Sequence, residues 1–185
     1  MTARPTKRLS RQDWITAARR LMAKDGPECL KAEPLARHMK TTKGSFYWHF
    51  KDVPEFHARL LVQWESEALL AVQHALEQDS SPSTRLRLLA QIIAAPDGGD
   101  MAQAEENAIR GWAASYKPAR DTVERVDSAR LTGLRALLGA SGIPNPEMAR
   151  IIYAAAIGME RLGEATGAGN TEAMGSLVDL VLALR

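Results

Sequence analysis

Aromatic side chains are scarce in this chain: three Phe, three Tyr and four Trp make up 5% of 185 residues. The core must therefore come largely from Ala, Leu, Ile, Val and Met, and the abundance of Ala, Leu and Met favours helices. Cysteine is rarer still. Cys29 stands alone, so no intramolecular disulfide can form, and between Pro27 and Leu30 it reads as a small apolar packing residue. Long hydrophobic runs are missing as well. The strongest, "IIYAAAIGM" from Ile151 to Met159, is far short of the ~20 residues that span a membrane. The opening "MTARPTKRLSRQD" carries charge with no apolar stretch behind it, so it is not expected to be a secretory signal. Catalytic patterns are lacking too: there is no GxGxxG, GxxxxGK[ST], GxSxG, HExxH or paired-Cys spacing, and His38, His49, His57 and His74 are scattered. The expectation is a soluble cytoplasmic protein that is not an enzyme, with no catalytic residues, metal, cofactor or membrane partner.

What is present is an uneven distribution of charge. Residues 1–51 hold twelve Lys/Arg and four Asp/Glu, whereas the remainder holds twelve and eighteen. A basic head on an acidic body suggests a polyanion-binding module joined to a part with another task. We accordingly divide the chain into a head, 1–51, and a regulatory body, 52–185.

Apolar residues recur at helical spacing throughout, and no alternating strand pattern is evident. Ser10 and Asp13 form a capping box ahead of Trp14, Ile15, Ala18 and Met22, and Gly26 ends that helix. Two short helices follow, about Ala32–Met39 and Thr42–His49. A long one opens at Asp52 and Glu55, with Pro54 in its first turn, and runs through Leu76. The polar stretch from Asp79 to Ser83, with Pro82 inside it, breaks that helix. Further helices are predicted at about Leu86–Ala95, Met101–Tyr116, Pro118–Leu138, Pro146–Thr166 and Thr171–Leu184. The fold class is all-α, with about nine helices.

Four of the ten aromatics fall within "TTKGSFYWHFK", Thr41 to Lys51. Phe46 and Phe50 are four apart, so they share one face and can pack inward. Tyr47 and Trp48 must then project on other faces, beside Lys43, His49 and Lys51. Two short helices joined by a turn at Lys40–Thr41 and backed by a first helix describe a helix-turn-helix. Its second helix reads base edges near its N-terminus and grips phosphate further along.

The run "RQDWITAARRLMAKDG…PLARHMKTTKGSFYWHFKDVPEF" resembles the DNA-binding domain of TetR-type transcriptional regulators over about residues 10–60. The resemblance implies an all-helical homodimer with an N-terminal three-helix DNA-binding domain and a C-terminal ligand-binding and dimerisation domain. It implies a repressor released from a palindromic double-stranded operator by a small-molecule effector, or alternatively an activator or an effector-independent regulator. By position, the resemblance assigns DNA contact to Lys31, Thr41, Thr42, Lys43, Gly44, Ser45, Tyr47, Trp48, His49 and Lys51. Gly44 lets the backbone approach DNA closely. The chain departs from the family's pattern at Lys40, where Gly is usual, and at Lys31, where Thr is usual. Arg4, Lys7 and Arg8 read equally well as a minor-groove arm or as a solvated tail.

In the body, a pocket between helices would draw on Trp64, Met101, Glu105, Asn107, Ile109, Arg110, Trp112, Tyr116, Tyr153 and Met159. The segment "RGWAASYKPARD" resembles a stretch recurrent in one branch of these regulators and names no ligand. The last two helices read as a dimer interface through Ala154, Ala155, Gly158, Met174, Leu177, Val178 and Val181. The rival class is a sequence-blind nucleic-acid-binding protein, which explains the basic head but not a compact helix-turn-helix with a separate acidic body.

Overall fold

A computed structural model describes residues 9–183 apart from Asp97 and residues 167–169. The side chains of residues 160–166 also lie outside the description, as do Arg4, Lys7, Arg8 and Leu184. The described residues form nine α-helices and no strand: α1 (Arg11–Asp25), α2 (Ala32–His38), α3 (Lys43–Tyr47), α4 (Val53–Glu77), α5 (Pro82–Ala94), α6 (Asp100–Ala113), α7 (Lys117–Ala140), α8 (Pro146–Thr166) and α9 (Asn170–Leu182). A 3-10 turn, Pro27–Cys29, separates α1 from α2.

The helix ends follow from capping chemistry. Ser10 Oγ accepts from the amide of Asp13 at 3.1 Å, and Asp13 Oδ2 accepts from the amide of Ser10 at 2.7 Å, which completes the expected box. At α4, Asp52 Oδ1 accepts from the Glu55 amide at 2.8 Å, but Glu55 Oε2 reaches one residue further back, to the amide of Lys51 at 2.7 Å. Two predicted boundaries are corrected. The fifth helix begins at Pro82 rather than Leu86, because Ser81 caps it through the Thr84 amide at 3.2 Å and proline fits the first turn. The third helix ends at Tyr47 rather than His49, with the backbone tightening into a turn whose His49 amide donates to the carbonyl of Phe46.

The chain divides into two compact units, one comprising residues up to Gln63 with Ala104–Arg120, the other Trp64–Gln103 with Asp121–Arg185. In the first, Trp14, Ile15, Ala18, Met22, Leu30, Leu35, Ala36, Phe46, Phe50, Phe56 and Leu60 are buried. Phe46 sits at the centre of a ring cluster, with centroids 5.4 Å from Trp14, 5.1 Å from Phe50 and 5.3 Å from Phe56. The Trp14 and Phe56 contacts are edge-on, the geometry in which ring edges meet ring faces favourably. These buried rings lock α3 to α1 and α4. The C-terminal part of α6 belongs to the same unit: Arg19 of α1 grips Glu105 through two hydrogen bonds of 2.6 and 2.8 Å.

In the second unit, α5 packs on α8 and α9, and these pack on each other. Leu86, Leu89, Ala90 and Ile93 meet Leu134, Leu137, Ile152, Tyr153, Met174 and Val178 there. Gly133 permits the close approach of α7, because a Cβ at that position would stand 3.0 Å from Leu89 Cδ2 and 3.4 Å from Val72 Cγ1. Arg85 donates to the carbonyl of Leu76 at 2.7 Å, satisfying an end carbonyl of α4.

Candidate nucleic-acid interface

Helix α3 is short and amphipathic, and its burial divides cleanly. Phe46 is 0% and Phe50 1% exposed, while Tyr47 is 47% and Trp48 86% exposed. Trp48 and Tyr47 thus present adjoining aromatic surface to solvent in a chain with few rings. Thr42, Lys43, Gly44 and Lys51 are also exposed, and Thr41, Ser45 and His49 are half-buried. One turn and one five-residue helix with its C-terminal end gather eight of the expected contacts, Thr41 to Ser45 and Tyr47 to His49. Lys31 and Lys51 flank them.

Local chemistry positions each one. Thr42 Oγ1 accepts from the Ser45 amide at 3.3 Å, so the hydroxyl caps α3 while its own hydrogen remains able to donate outward. A Cβ on Gly44 would meet only Thr42 Oγ1, at 3.7 Å. Nothing inside the protein therefore requires glycine here, and the room it leaves lies on the outer side. His49 rests at a tilt against Trp14, with ring centroids 6.4 Å apart. Lys31 stands at the N-cap position of α2 with no side-chain cap, its Nζ 3.3 Å from exposed Glu28 Oε2.

The turn between α2 and α3 is set by Lys40, whose φ of 54° is left-handed. The Lys40 amide donates to Arg37 O at 3.1 Å and the Thr41 amide to Ala36 O at 2.9 Å, which together form a Schellman motif. Helix α7 ends in the same way, with Gly142 at φ 87° and Ile143 donating to Leu138 O at 2.9 Å.

Residues Lys31, Ala32, Glu33, Pro34, Arg37, Lys43, Tyr47 and Val53 line an open groove of about 360 Å³. Lys31, Lys43 and Tyr47 were expected at the interface. Arg37 was not, because a lone exposed Arg on a short helix carries no periodic signal; its place six residues after Lys31 and three after Pro34 is the only hint.

Residues 15–52 match the family described as bacterial regulatory proteins, tetR family. The fold agrees over nearly the whole chain. A transcriptional regulator from Rhodococcus sp. Rha1 superposes with a TM-score of 0.77 at 19% identity, covering 95% of this chain and 95% of its own. FadR from Bacillus subtilis, solved with stearoyl-CoA, gives 0.69 at 15% identity, covering 92% and 96%. SmeT, the repressor of a Stenotrophomonas maltophilia multidrug efflux pump, gives 0.69 at 17%, covering 95% and 90%. The family match is thus confined to the N-terminal segment, and over the rest of the chain the likeness is one of fold. No curated protein matches the sequence.

The TetR match contains all ten of the residues from Lys31 to Lys51 placed above. The residues expected at an effector site are distributed differently. Glu105, Asn107, Ile109, Arg110, Trp112 and Tyr116 belong to the first unit, and Trp64, Met101, Tyr153 and Met159 to the second. Within the first, Trp112 and Tyr116 stack at 4.5 Å, and the His57 ring meets both edge-on at 4.9 and 5.6 Å. His57 Nε2 donates to the carbonyl of Leu30 at 2.7 Å. Burial among these rings pushes His57 below the usual imidazole range, and that hydrogen bond offsets part of the shift. Glu105 is buried against Arg19, and Glu106 takes Arg110 at 2.9 Å. Within the second, Tyr153 donates to Asp127 at 2.6 Å, Trp64 is buried, Met159 is half-buried and Met101 is exposed.

Of the residues expected at a dimer interface, Met174, Val178 and Val181 are buried in their own unit's core, and Leu177 and Ala155 are half-buried. Ala154 and Gly158 face out, joined by exposed Ile151 and Leu180, which helical spacing alone does not single out. No described helix is long and apolar enough to cross a membrane, and no group of three or more His, Cys, Asp or Glu among the described residues is placed to hold a metal ion.

Proposed function

We propose that this chain is a TetR-type, sequence-specific double-stranded DNA-binding regulator, acting in the cytoplasm as a repressor that a small-molecule effector releases from a palindromic operator. The observation that carries the reading is the outer face of α3, where Lys43, Gly44, Tyr47 and Trp48 are open while Phe46 fixes the helix from behind. An exposed aromatic and basic helix face of this kind suits a major groove, with Lys51, Lys31 and Thr42 on flanking phosphates. The repressor named from Stenotrophomonas maltophilia supports repression, and the stearoyl-CoA complex from Bacillus subtilis supports binding of an organic effector.

A homodimer fits this reading, because two heads matched to two half-sites need a two-fold axis. Ile151, Ala154, Ala155 and Gly158 fall at i, i+3, i+4 and i+7 on α8, and on α9 Leu177 is half-buried and Leu180 exposed. Small residues at Ala154 and Gly158 would let a partner helix approach closely. For the effector, the candidate contacts are the stacked Trp112–Tyr116 pair of one unit and Trp64, Tyr153 and Met159 of the other.

Footprinting on the DNA upstream of the protein's own gene tests the assignment. A two-fold symmetric footprint supports it. Protection without sequence preference, abolished uniformly by salt, would favour the rival polyanion-binding role.

A further inference from the structure

Leu30 closes the 3-10 turn that leads into α2, and its carbonyl takes its partner from a distant helix. The residue four further on, Pro34, has no amide to offer it. Instead the carbonyl accepts from Nε2 of His57, on α4, at 2.7 Å. The His57 ring in turn meets Trp112 and Tyr116 edge-on, at 4.9 and 5.6 Å. One half-buried imidazole thus ties together the entry to α2, the first turns of α4 and the end of α6, all within the first unit. With the proton on Nε2, Nδ1 is the bare nitrogen, and it has no hydrogen-bond partner among the described residues. No carboxylate pairs with the ring there either. Cys29, beside Leu30, is pushed up to about 11 by burial and by Asp25, and so stays neutral. Lys31 pairs with Glu28, Arg59 with Glu55 on α4, and Arg110 with Glu106 on α6. Lys117 is exposed, and the titratable group that touches the ring is the Tyr116 phenol.

We propose that His57 makes DNA binding acid-sensitive: the neutral ring pins the entry of α2 to α4 and to the Trp112–Tyr116 stack, and a proton taken from solvent onto Nδ1 releases that pin. The inference rests on reading α3 as the DNA-contacting helix. The added proton makes a cation whose second N–H has neither acceptor nor counter-ion where the neutral ring lies. Water is the alternative, and the half-buried ring reaches it by leaving the carbonyl of Leu30. Burial already holds the imidazole below its usual range, as expected of a site that prefers the neutral form. With the pin out, the carbonyl of buried Leu30 lacks its donor. Helix α2, which leads into α3 through the Lys40 turn, then loses its fixed start. Protons and DNA therefore compete, since DNA takes the pinned head and acid the released one.

The test is operator binding by the full chain between about pH 5 and 8 at constant ionic strength. Wild type is compared with His57→Gln, whose amide can still donate to Leu30 but takes up no proton. Wild-type affinity should be flat above about 6.5, the usual imidazole value, and fall below it by up to about tenfold per pH unit for each head. His57→Gln should show no such fall. Protonation of His49 would tighten binding in both proteins alike, so the ratio of the two curves isolates His57. Proton NMR of the wild type, which needs no variant, should show the His57 imidazole titrating below about 6.5, with the backbone amides of residues 30–36 shifting alongside it. Parallel binding curves would overturn the inference, and so would amides that do not follow the ring. A His57 ring that titrates at or above about 6.5, its charge held by the faces of Trp112 and Tyr116, would overturn it too. Absence of sequence-specific binding by the wild type at about pH 8 would instead remove the reading of α3, and the inference with it.

Discussion

Replacing Lys40 by glycine should make the protein more stable, against the usual direction for a glycine substitution. The residue occupies the left-handed C′ position of α2, with φ of 54°. A side chain there places Cβ against the following carbonyl at a strain of about 1–2 kcal/mol. Glycine removes that strain but adds freedom to the unfolded chain, costing roughly 0.4–1 kcal/mol. The net gain for Lys40→Gly is about 0.5–1 kcal/mol, or about 1–4 °C in Tm for a chain of this size. The same motif at the end of α7 supplies the control. Gly142 has φ of 87°, and a Cβ there would meet nothing within 4 Å, so Gly142→Ala tests conformation without packing. It should cost about 0.5–1 kcal/mol. Urea and thermal unfolding of both variants would read these shifts in opposite directions. A Lys40→Gly protein less stable than wild type, or a Gly142→Ala protein more stable, would refute the reasoning about both turns.

Three further outcomes follow from the packing and the charges. Gly111→Ala, with nothing within 4 Å, should gain up to about 1 kcal/mol from helix propensity, whereas Gly133→Ala, whose Cβ would press on Leu89 at 3.0 Å, should fall short of that gain; urea midpoints would compare them. His57 holds a lowered imidazole pKa, so the unfolded chain takes up its proton first; the stability that its neutral form contributes should be complete above the unfolded value of about 6.5 and fall as pH drops below it. Unfolding midpoints between about pH 5 and 8 should therefore slope less in His57→Phe than in wild type, and identical slopes would discount the buried neutral ring. Glu105→Gln should cost roughly 2 kcal/mol by leaving Arg19 without its carboxylate, and the Arg19→Met, Glu105→Leu double variant should recover much of that loss in thermal melts.

Much of the head was legible because its signals are local. The spacing of Phe46 and Phe50 and the Ser10–Asp13 box each act within four residues, and each emerges in the structure as read. Long-range partners were not legible. Nothing local indicates that Trp14 and Phe56 close around Phe46, or that Arg19 reaches Glu105. For the same reason the compact unit holding the head extends to Gln63 and takes in Ala104–Arg120, which no local composition marks. Helix α9 shows a different limit: apolar periodicity identifies Met174, Val178 and Val181 as buried, but it does not say whether their own core or a partner buries them. The groove that brings Arg37 beside Lys43 and Tyr47 is not legible either, because it exists only once α2 and α3 are folded together.

The outward face of α3 is best tested by binding of the Tyr47→Ala and Lys43→Ala proteins to a footprinted operator, each checked for an unchanged melting temperature. Both side chains are exposed, so the account predicts intact folds in both variants. Binding to the operator should fall about tenfold or more for Tyr47→Ala, which removes a base-edge contact of roughly 1–3 kcal/mol from each head, and Lys43→Ala should show a smaller salt slope. Wild-type affinity and slope in both variants would contradict it.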